Sequence, residues 1–239
     1  LKFEKNPKKN QSKKNMFDLD QPLLYQLWSE NYSKADYFNW IHSPIKRNIR
    51  IFKSDYLEML TNTPWYIVPC FWIPYIASIW LQFAPNVDFW VFCTLVVTGM
   101  SVWPGFEYLF HRFIFHMNEK WIPGYNICYC THFLLHGLHH LCPQDKLRLV
   151  MPVVLFWSLM SLTREAFLRC LPIDKNTGWL LTSGVIIGYM YYDLIHYYLH
   201  NGSHYYRQLR KHHFSHHYKD SNLKFGVSST LVDRLIGSH

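Results

Sequence analysis

Charge is scarce in this chain: 17% of its 239 residues are Asp, Glu, Lys or Arg, and only sixteen of these are acidic. That scarcity argues against a disordered tail and fits an ordinary soluble globule poorly. Its six cysteines, at positions 70, 93, 128, 130, 142 and 170, form no C-x-x-C pair and lack the even spacing of a secreted disulfide scaffold, so free thiols are expected. The basic opening run KFEKNPKKNQSKKN leads into no apolar core, so no cleavable signal peptide is visible, and the start at Leu1 reads as that of a fragment. What is plentiful is different in kind. Hydrophobic residues make up 49% and aromatics 18%, with ten Trp, seventeen Tyr and seventeen Phe, a supply of rings suited to membrane interfaces. Fifteen residues are His, thirteen of them between His111 and His217.

Four apolar segments can be bounded by their flanking charges. The first is uncharged from Met59 to Val87, densest over Trp65 to Phe83, and meets the roughly 20 residues a spanning helix needs despite Pro69 and Pro74. The second, Phe89 to Phe106, follows a tight APNVD turn, and the pair reads as a transmembrane hairpin. The third, Leu149 to Thr163, and the fourth, Thr177 to Tyr192, carry 15 and 16 uncharged residues and are read as short spans flanked by snorkelling Arg164 and Arg169 and by Asp193. With four spans, 21 Lys and Arg residues fall on one side and Arg164, Arg169 and Lys175 on the other, which makes both termini cytosolic. Every dense histidine motif then lies on the cytosolic face. The first 64 residues read as a peripheral region of short amphipathic helices, with residues 1 to 15 a simple linker, and 65–239 as the membrane and histidine-bearing domain. The net charge of +8 calls for no nucleic acid, because cytosolic basic residues face anionic lipid.

The histidines fall at His111 and His116, at His136, His139 and His140, at His196 and His200, and at His213, His216 and His217. Residues three and four apart share a helix face, so three of these motifs each aim two or three imidazoles at one point; the first pair, five apart, straddles a helix end. Ten convergent rings would leave costly unpaired nitrogens or mutually repelling cations unless they bind metal, and one ion accepts at most about six ligands, so the pattern implies two ions. A loose metal buffer or a tag would lack fixed helical offsets punctuated by spans. His132, one turn before His136, together with His204 and His212, reads as lying outside the ligand set, and His42 and His239 carry no signal.

The segments HRFIFH, THFLLHGLHH, DLIHYYLH and KHHFSHH, with DKLRLVMP between them and LKFGVSS after, resemble the eukaryotic fatty acid 2-hydroxylases of the fatty acid hydroxylase superfamily, from Phe17 onward. The resemblance implies an all-α integral membrane protein of the endoplasmic reticulum, with four transmembrane helices and a cytosolic helical cap holding a histidine-rich dimetal centre. The ten histidines match the family's metal-binding pattern, which implies two iron ions as cofactors, with zinc as a redox-inert substitute. It also implies O₂-dependent hydroxylation of carbon 2 of a long fatty acyl or ceramide substrate, with electrons from NAD(P)H delivered through a reductase and cytochrome b5. Many members carry a cytochrome b5 domain with a His-Pro-Gly-Gly haem motif; that motif is absent here, so the domain is expected either upstream or as a separate chain.

Asp193 and Tyr192, beside His196, are candidate catalytic residues that would hold a substrate amide or hydroxyl, and Glu107, four before His111, could orient an imidazole. Asp145 and Arg148 are expected either to pair or to meet a lipid headgroup. Two other functions fit parts of this pattern. Sterol and acyl desaturases and methyl oxidases share histidine-rich dimetal chemistry, whereas a metal transporter would place its ligands along a path at the bilayer midplane, where these spans are almost free of ionisable groups.

Overall fold

In a computed structural model, residues 16–117, 120–170, 172–202 and 205–239 are described, so the linker expected at 1–15 and His204 lie outside the described residues. Among those residues the secondary structure is helical throughout, with no strand. Three short helices open the chain, α1 (Leu23–Ser29), α2 (Lys34–Ile41) and α3 (Asp55–Leu60), followed by two long ones, α4 (Ile67–Phe83) and α5 (Phe89–Leu109). Next come α6 (Asn126–His132), α7 (Leu138–Leu141), α8 (Val153–Cys170), α9 (Lys175–His200), α10 (Arg207–Tyr218) and α11 (Leu231–Ile236). A π turn over Phe110–Phe115 prolongs α5, and a second over Phe133–Gly137 joins α6 to α7.

Two stretches are long and apolar enough to cross a membrane, Ile67–Asn86 and Phe89–Phe115. Both present large side chains outward, among them Phe71, Leu81, Trp90 and Val97, as lipid-facing helices do. The expected hairpin is present, with Asp88 capping α5 by accepting the Trp90 N–H. The second stretch is longer than its charges suggest and carries Glu107 and His111 within it.

The other two apolar segments are also helical, but with different ends. α8 starts at Val153 behind Pro152, because Leu149 and Met151 are engaged instead with His196 and Asp193, and Pro favours a helix start. It then continues past Thr163 through three charged residues: the Arg164 guanidinium sits 3.7 Å from the Trp179 ring centre, so its charge does not end the helix. α9 is capped by Asp174, which accepts the Asn176 and Thr177 N–H groups, and runs unbroken from the apolar segment through His196 to His200.

α9 lies against α4, α5 and α8 and shares with them one core built on Trp72, Trp103, Phe156, Leu180 and Tyr189. Between α5 and α9 the backbones nearly touch. A Cβ added to Gly99 would lie 2.2 Å from Leu181 O, and one added to Gly184 would lie 2.1 Å from Val96 O. Only glycine allows this approach, the small-residue contact through which membrane helices pack.

A second core joins the N-terminal helices to the α6–α7 segment: Leu23, Leu27, Tyr37, Ile41 and Ile51 pack with Ile122, Tyr129, Phe133 and Leu141. Arg148 locks this half from below, donating to Glu58 at 2.5 Å, to Asp145 at 2.6 Å and to Ile49 O at 3.1 Å.

Candidate metal centre

Five elements bring histidines to one place: the π turn after α5, the second π turn with α7, the end of α9, and α10. In an α-helix residues five apart point roughly 140° apart, but the His116 N–H bonds back to His111 O at 2.9 Å, and the two rings lie 4.9 Å apart. The π turn is what places both rings on one face. His196 and His200 sit one turn apart on α9, and His213, His216 and His217 share the inner face of α10.

The rings form two groups. In the first, the ligand-capable nitrogens of His139, His196, His200, His213 and His217 all lie within 4.8 Å of one another; in the second, so do those of His111, His116, His136 and His216. His140 closes the second group, its Nε2 3.0 Å from that of His116. Within the first, Nε2 of His139 is 2.9 Å from that of His196 and 3.0 Å from that of His217, while His200 and His213 approach to 2.8 Å. Within the second, His111 and His136 are 3.1 Å apart and His216 and His116 2.8 Å apart.

All ten side chains are buried, the most exposed at 9%. Burial, followed by the proximity of other histidines, holds His136, His139, His140, His213 and His217 well below the ordinary imidazole range, so the rings are neutral. Three carry their tautomer on their surroundings: Nδ1–H of His111 donates to Phe225 O at 2.5 Å, that of His196 to Leu149 O at 3.0 Å, and that of His216 to Leu223 O at 2.7 Å. A carbonyl only accepts, so Nε2 of each bears a lone pair aimed inward. Neutral imidazole nitrogens packed lone pair to lone pair, with no carboxylate between them, suit a transition-metal ion in each group.

A cavity of about 320 Å³ opens beside His136, His139 and His196, walled largely by apolar side chains such as Leu57, Leu134 and Leu155. Tyr192 and Asp193 line it. The Asp193 carboxylate accepts the Tyr189 hydroxyl at 2.9 Å and the Met151 N–H at 3.2 Å, which steadies the loop whose Leu149 carbonyl holds His196.

Other expectations resolve individually. His132 belongs to neither group and bonds to the Tyr37 hydroxyl at 2.7 Å. His212 donates to Asp233 at 3.0 Å, and the His42 ring packs edge-on to His140. Glu107 touches no imidazole; it accepts the Val227 and Ser228 N–H groups and the Ser228 hydroxyl, fastening the C-terminal segment to α5. Asp145 and Arg148 do pair, with Glu58 as an unforeseen third member.

Asp233 is also absent from the sequence reading. Burial alone would raise its pKa, but hydrogen bonds from His212, Gly226, Ser238 and Phe225 keep it below the ordinary carboxylate range.

A family model described as fatty acid hydroxylase matches residues 96–238. The chain is 38% identical over 236 residues to the ceramide very long chain fatty acid hydroxylase of Saccharomyces cerevisiae, covering 96% of this chain and 60% of that one. It is 35% identical to the fatty acid 2-hydroxylase of Mus musculus, covering 92% and 63%. With a dihydroceramide fatty acyl 2-hydroxylase of Arabidopsis thaliana it is 34% identical, covering 92% of both. The chain thus spans about three fifths of the yeast and mouse relatives but nearly all of the plant one. A solved structure described as full-length scs7p, with only its hydroxylase domain visible, matches with a TM-score of 0.87 at 37% identity, covering 93% of this chain and 85% of that one.

Proposed function

This chain belongs to the fatty acid hydroxylase family, and from that premise we propose that it hydroxylates carbon 2 of a long acyl chain, in a ceramide or a fatty acid, at two iron ions held by its ten histidines. The observation that carries this reading is the pair of buried, neutral imidazole groups beside an apolar cavity of about 320 Å³. His139, His196, His200, His213 and His217 would hold one ion, and His111, His116, His136, His140 and His216 the other. When bound, iron supplies the redox chemistry by which O₂, two electrons and two protons turn a C–H bond into C–OH and release water, chemistry that zinc cannot supply.

The protein's own work is to bring carbon 2 to that place. The leucine-lined wall excludes water and takes the apolar chain, while Tyr192 and Asp193, on the same wall, meet the polar amide or hydroxyl next to carbon 2. Asp193 is already held by Tyr189 and Met151, so its free acceptor positions have a fixed direction. Electrons would come from NAD(P)H through a reductase and cytochrome b5.

α4 and α5 are the two helices that meet the length and apolarity of a membrane span. We read α8 and α9 as the remaining spans of a four-helix, multi-pass protein of the endoplasmic reticulum membrane, with both termini and the histidine cap in the cytosol. That arrangement puts the 21-to-3 excess of basic residues on the cytosolic side. Residues 1–64 would be an N-terminal cytosolic, peripheral segment and 65–239 the transmembrane and histidine-cap hydroxylase domain.

The test is metal content together with lipid mass. Purified protein should carry two ions per chain, and lipids from cells expressing it should gain one oxygen on the acyl chain. A loss of two hydrogens would assign it to desaturation instead, and fewer than two ions would overturn the dimetal reading.

A further inference from the structure

The stretch after α10 contributes no imidazole to either group, yet two of its carbonyls steer rings of one group only. Phe225 O receives the Nδ1–H of His111 and Leu223 O that of His216, and both rings belong to the second group. In the first group His196 is steered from elsewhere, by Leu149 O, while Nδ1 of His139, His200, His213 and His217 is buried without a partner.

The peptides that carry these carbonyls are held from behind: the Lys224 N–H, in the Leu223 peptide, donates to Ser238 O at 2.7 Å, and a pair of buried carboxylates takes the N–H groups that follow. Asp233, fully buried on α11, accepts the Phe225 N–H at 3.0 Å, the Gly226 N–H at 2.7 Å, the Ser238 hydroxyl at 2.8 Å and the His212 ring at 3.0 Å. Glu107 takes the next two N–H groups, those of Val227 and Ser228. Four consecutive N–H groups, 225 to 228, are therefore bound by the two carboxylates, with the Phe225 carbonyl bonded to His111. The fit is tight, since a Cβ on Gly226 would lie 2.1 Å from Ser229 O and 2.8 Å from Asp233 Oδ2. His212 ties the same carboxylate to α10, the helix that carries His213, His216 and His217.

We propose that Asp233 is a positioning residue for the second metal site: through the 225–226 backbone and through Ser238 it sets the tautomer and ring direction of His111 and His216, whereas none of His139, His196, His200, His213 and His217 has its Nδ1–H accepted by the segment that Asp233 holds. This rests on the two-ion reading above. The physical reason is that an imidazole whose Nδ1–H loses its acceptor is free to rotate or to move its proton to Nε2, the nitrogen that must face the ion. Loss of such a supporting partner costs about 10- to 100-fold in metal affinity.

The experiment is stepwise metal removal from the purified full chain in detergent, with a chelator series read as ions retained per chain by elemental mass spectrometry. Wild type, Asp233→Asn and Asp233→Ala are compared, with thermal unfolding of each before chelation. The Asn change keeps the shape and one acceptor, so it decides the matter if the Ala variant fails to fold. The expected result is that Asp233→Asn surrenders one ion at roughly 10- to 100-fold lower chelator concentration while the other is retained as in wild type. A merely structural role would loosen both ions together, and that outcome overturns the proposal, as does wild-type retention of both. Fewer than two ions in wild type itself would sink the underlying two-ion reading and the proposal with it, and that failure is distinguishable because it appears before any substitution.

Discussion

The contact between α5 and α9 makes a sharp prediction because both helices carry members of the histidine cluster. In Gly184→Ala the new carbon would fall 2.1 Å from Val96 O and 2.9 Å from Gly99 Cα, against the 3.4 Å of ordinary contact. Every atom it meets is backbone, so no side chain can swing aside, and the helices must part by about an ångström. Overpacking of this kind costs about 1–3 kcal/mol, and for a chain of this length each kcal/mol lowers the melting midpoint by roughly 2–4 °C. The larger effect is expected at the metals. α9 carries His196 and His200, the α5 extension carries His111, and metal–ligand distances tolerate only about 0.2 Å. Gly105→Ala is the matched control: it lies on the same α5, and its added carbon meets nothing within 4 Å. Thermal unfolding in detergent, together with ions bound per chain, should show Gly184→Ala losing both stability and metal while Gly105→Ala loses neither. If the two variants behave alike, the close approach of the helices does not hold the cluster in register.

Truncation of a ring from either group, His139→Ala or His216→Ala, should abolish hydroxylated lipid product while membrane insertion persists; retained product in both would remove them from the ligand set. Acid should destabilise the metal-free chain. Its buried rings hold their pKa well below the unfolded value of about 6.5, so stability is intact above that pH and falls as the unfolded chain takes up protons below it. Metal should be released over the same range, and a melting midpoint that is flat or rises from pH 7 to 5 would contradict this. Arg148→Ala leaves the carboxylates of Asp145 and Glu58, 2% and 15% exposed, without their cation, at a cost of about 3–5 kcal/mol. Hydrogen exchange should accelerate across residues 49–60, and Arg148→Lys should not restore it, since an ammonium cannot bridge two carboxylates and the Ile49 carbonyl in one plane; unchanged exchange in the Ala variant would refute the strut.

What could be read in the sequence was whatever depends on spacing along one element. The offsets within His136/His139/His140, His196/His200 and His213/His216/His217 put their rings on common faces before any fold was known. The hairpin of α4 and α5 was equally plain from its uncharged length. What could not be read depends on contacts between elements. No local pattern says that His216 groups with His111 while its neighbour His217 groups with His139, because that division is made by how α10 lies across the cluster. Charges misled at the end of α8, where Arg164 finds an aromatic face rather than water. Nothing local marks Asp233, and the spacing of Glu107 points to His111 rather than to its true partners, because the N–H groups the two carboxylates bind, at 225–228, are remote from Glu107 in sequence and lie in an irregular segment. The glycines at 99 and 184 had a visible signal, small residues within apolar helices, but their partnership requires knowing that α5 and α9 are neighbours.

The two π turns link the covalent pattern to the metal centre. A π turn is rarer than an α turn and persists where function or surrounding structure demands it. Among the described residues both occur in histidine-bearing segments, Phe110–Phe115 and Phe133–Gly137, and nowhere else. In the first, an α-helical continuation of α5 would carry His116 to the far side of the helix from His111, leaving one of them to face lipid or the C-terminal segment. The extra residue per turn returns His116 to the inner face, where its Nε2 meets those of His140 and His216. The second turn lies between His132 and His139, so it separates a ring bonded to Tyr37 from rings turned toward the cluster. In α5 the irregular backbone is therefore what allows one continuous stretch to be long and apolar enough to cross a membrane and also to carry ligands whose directions a strict α repeat would scatter.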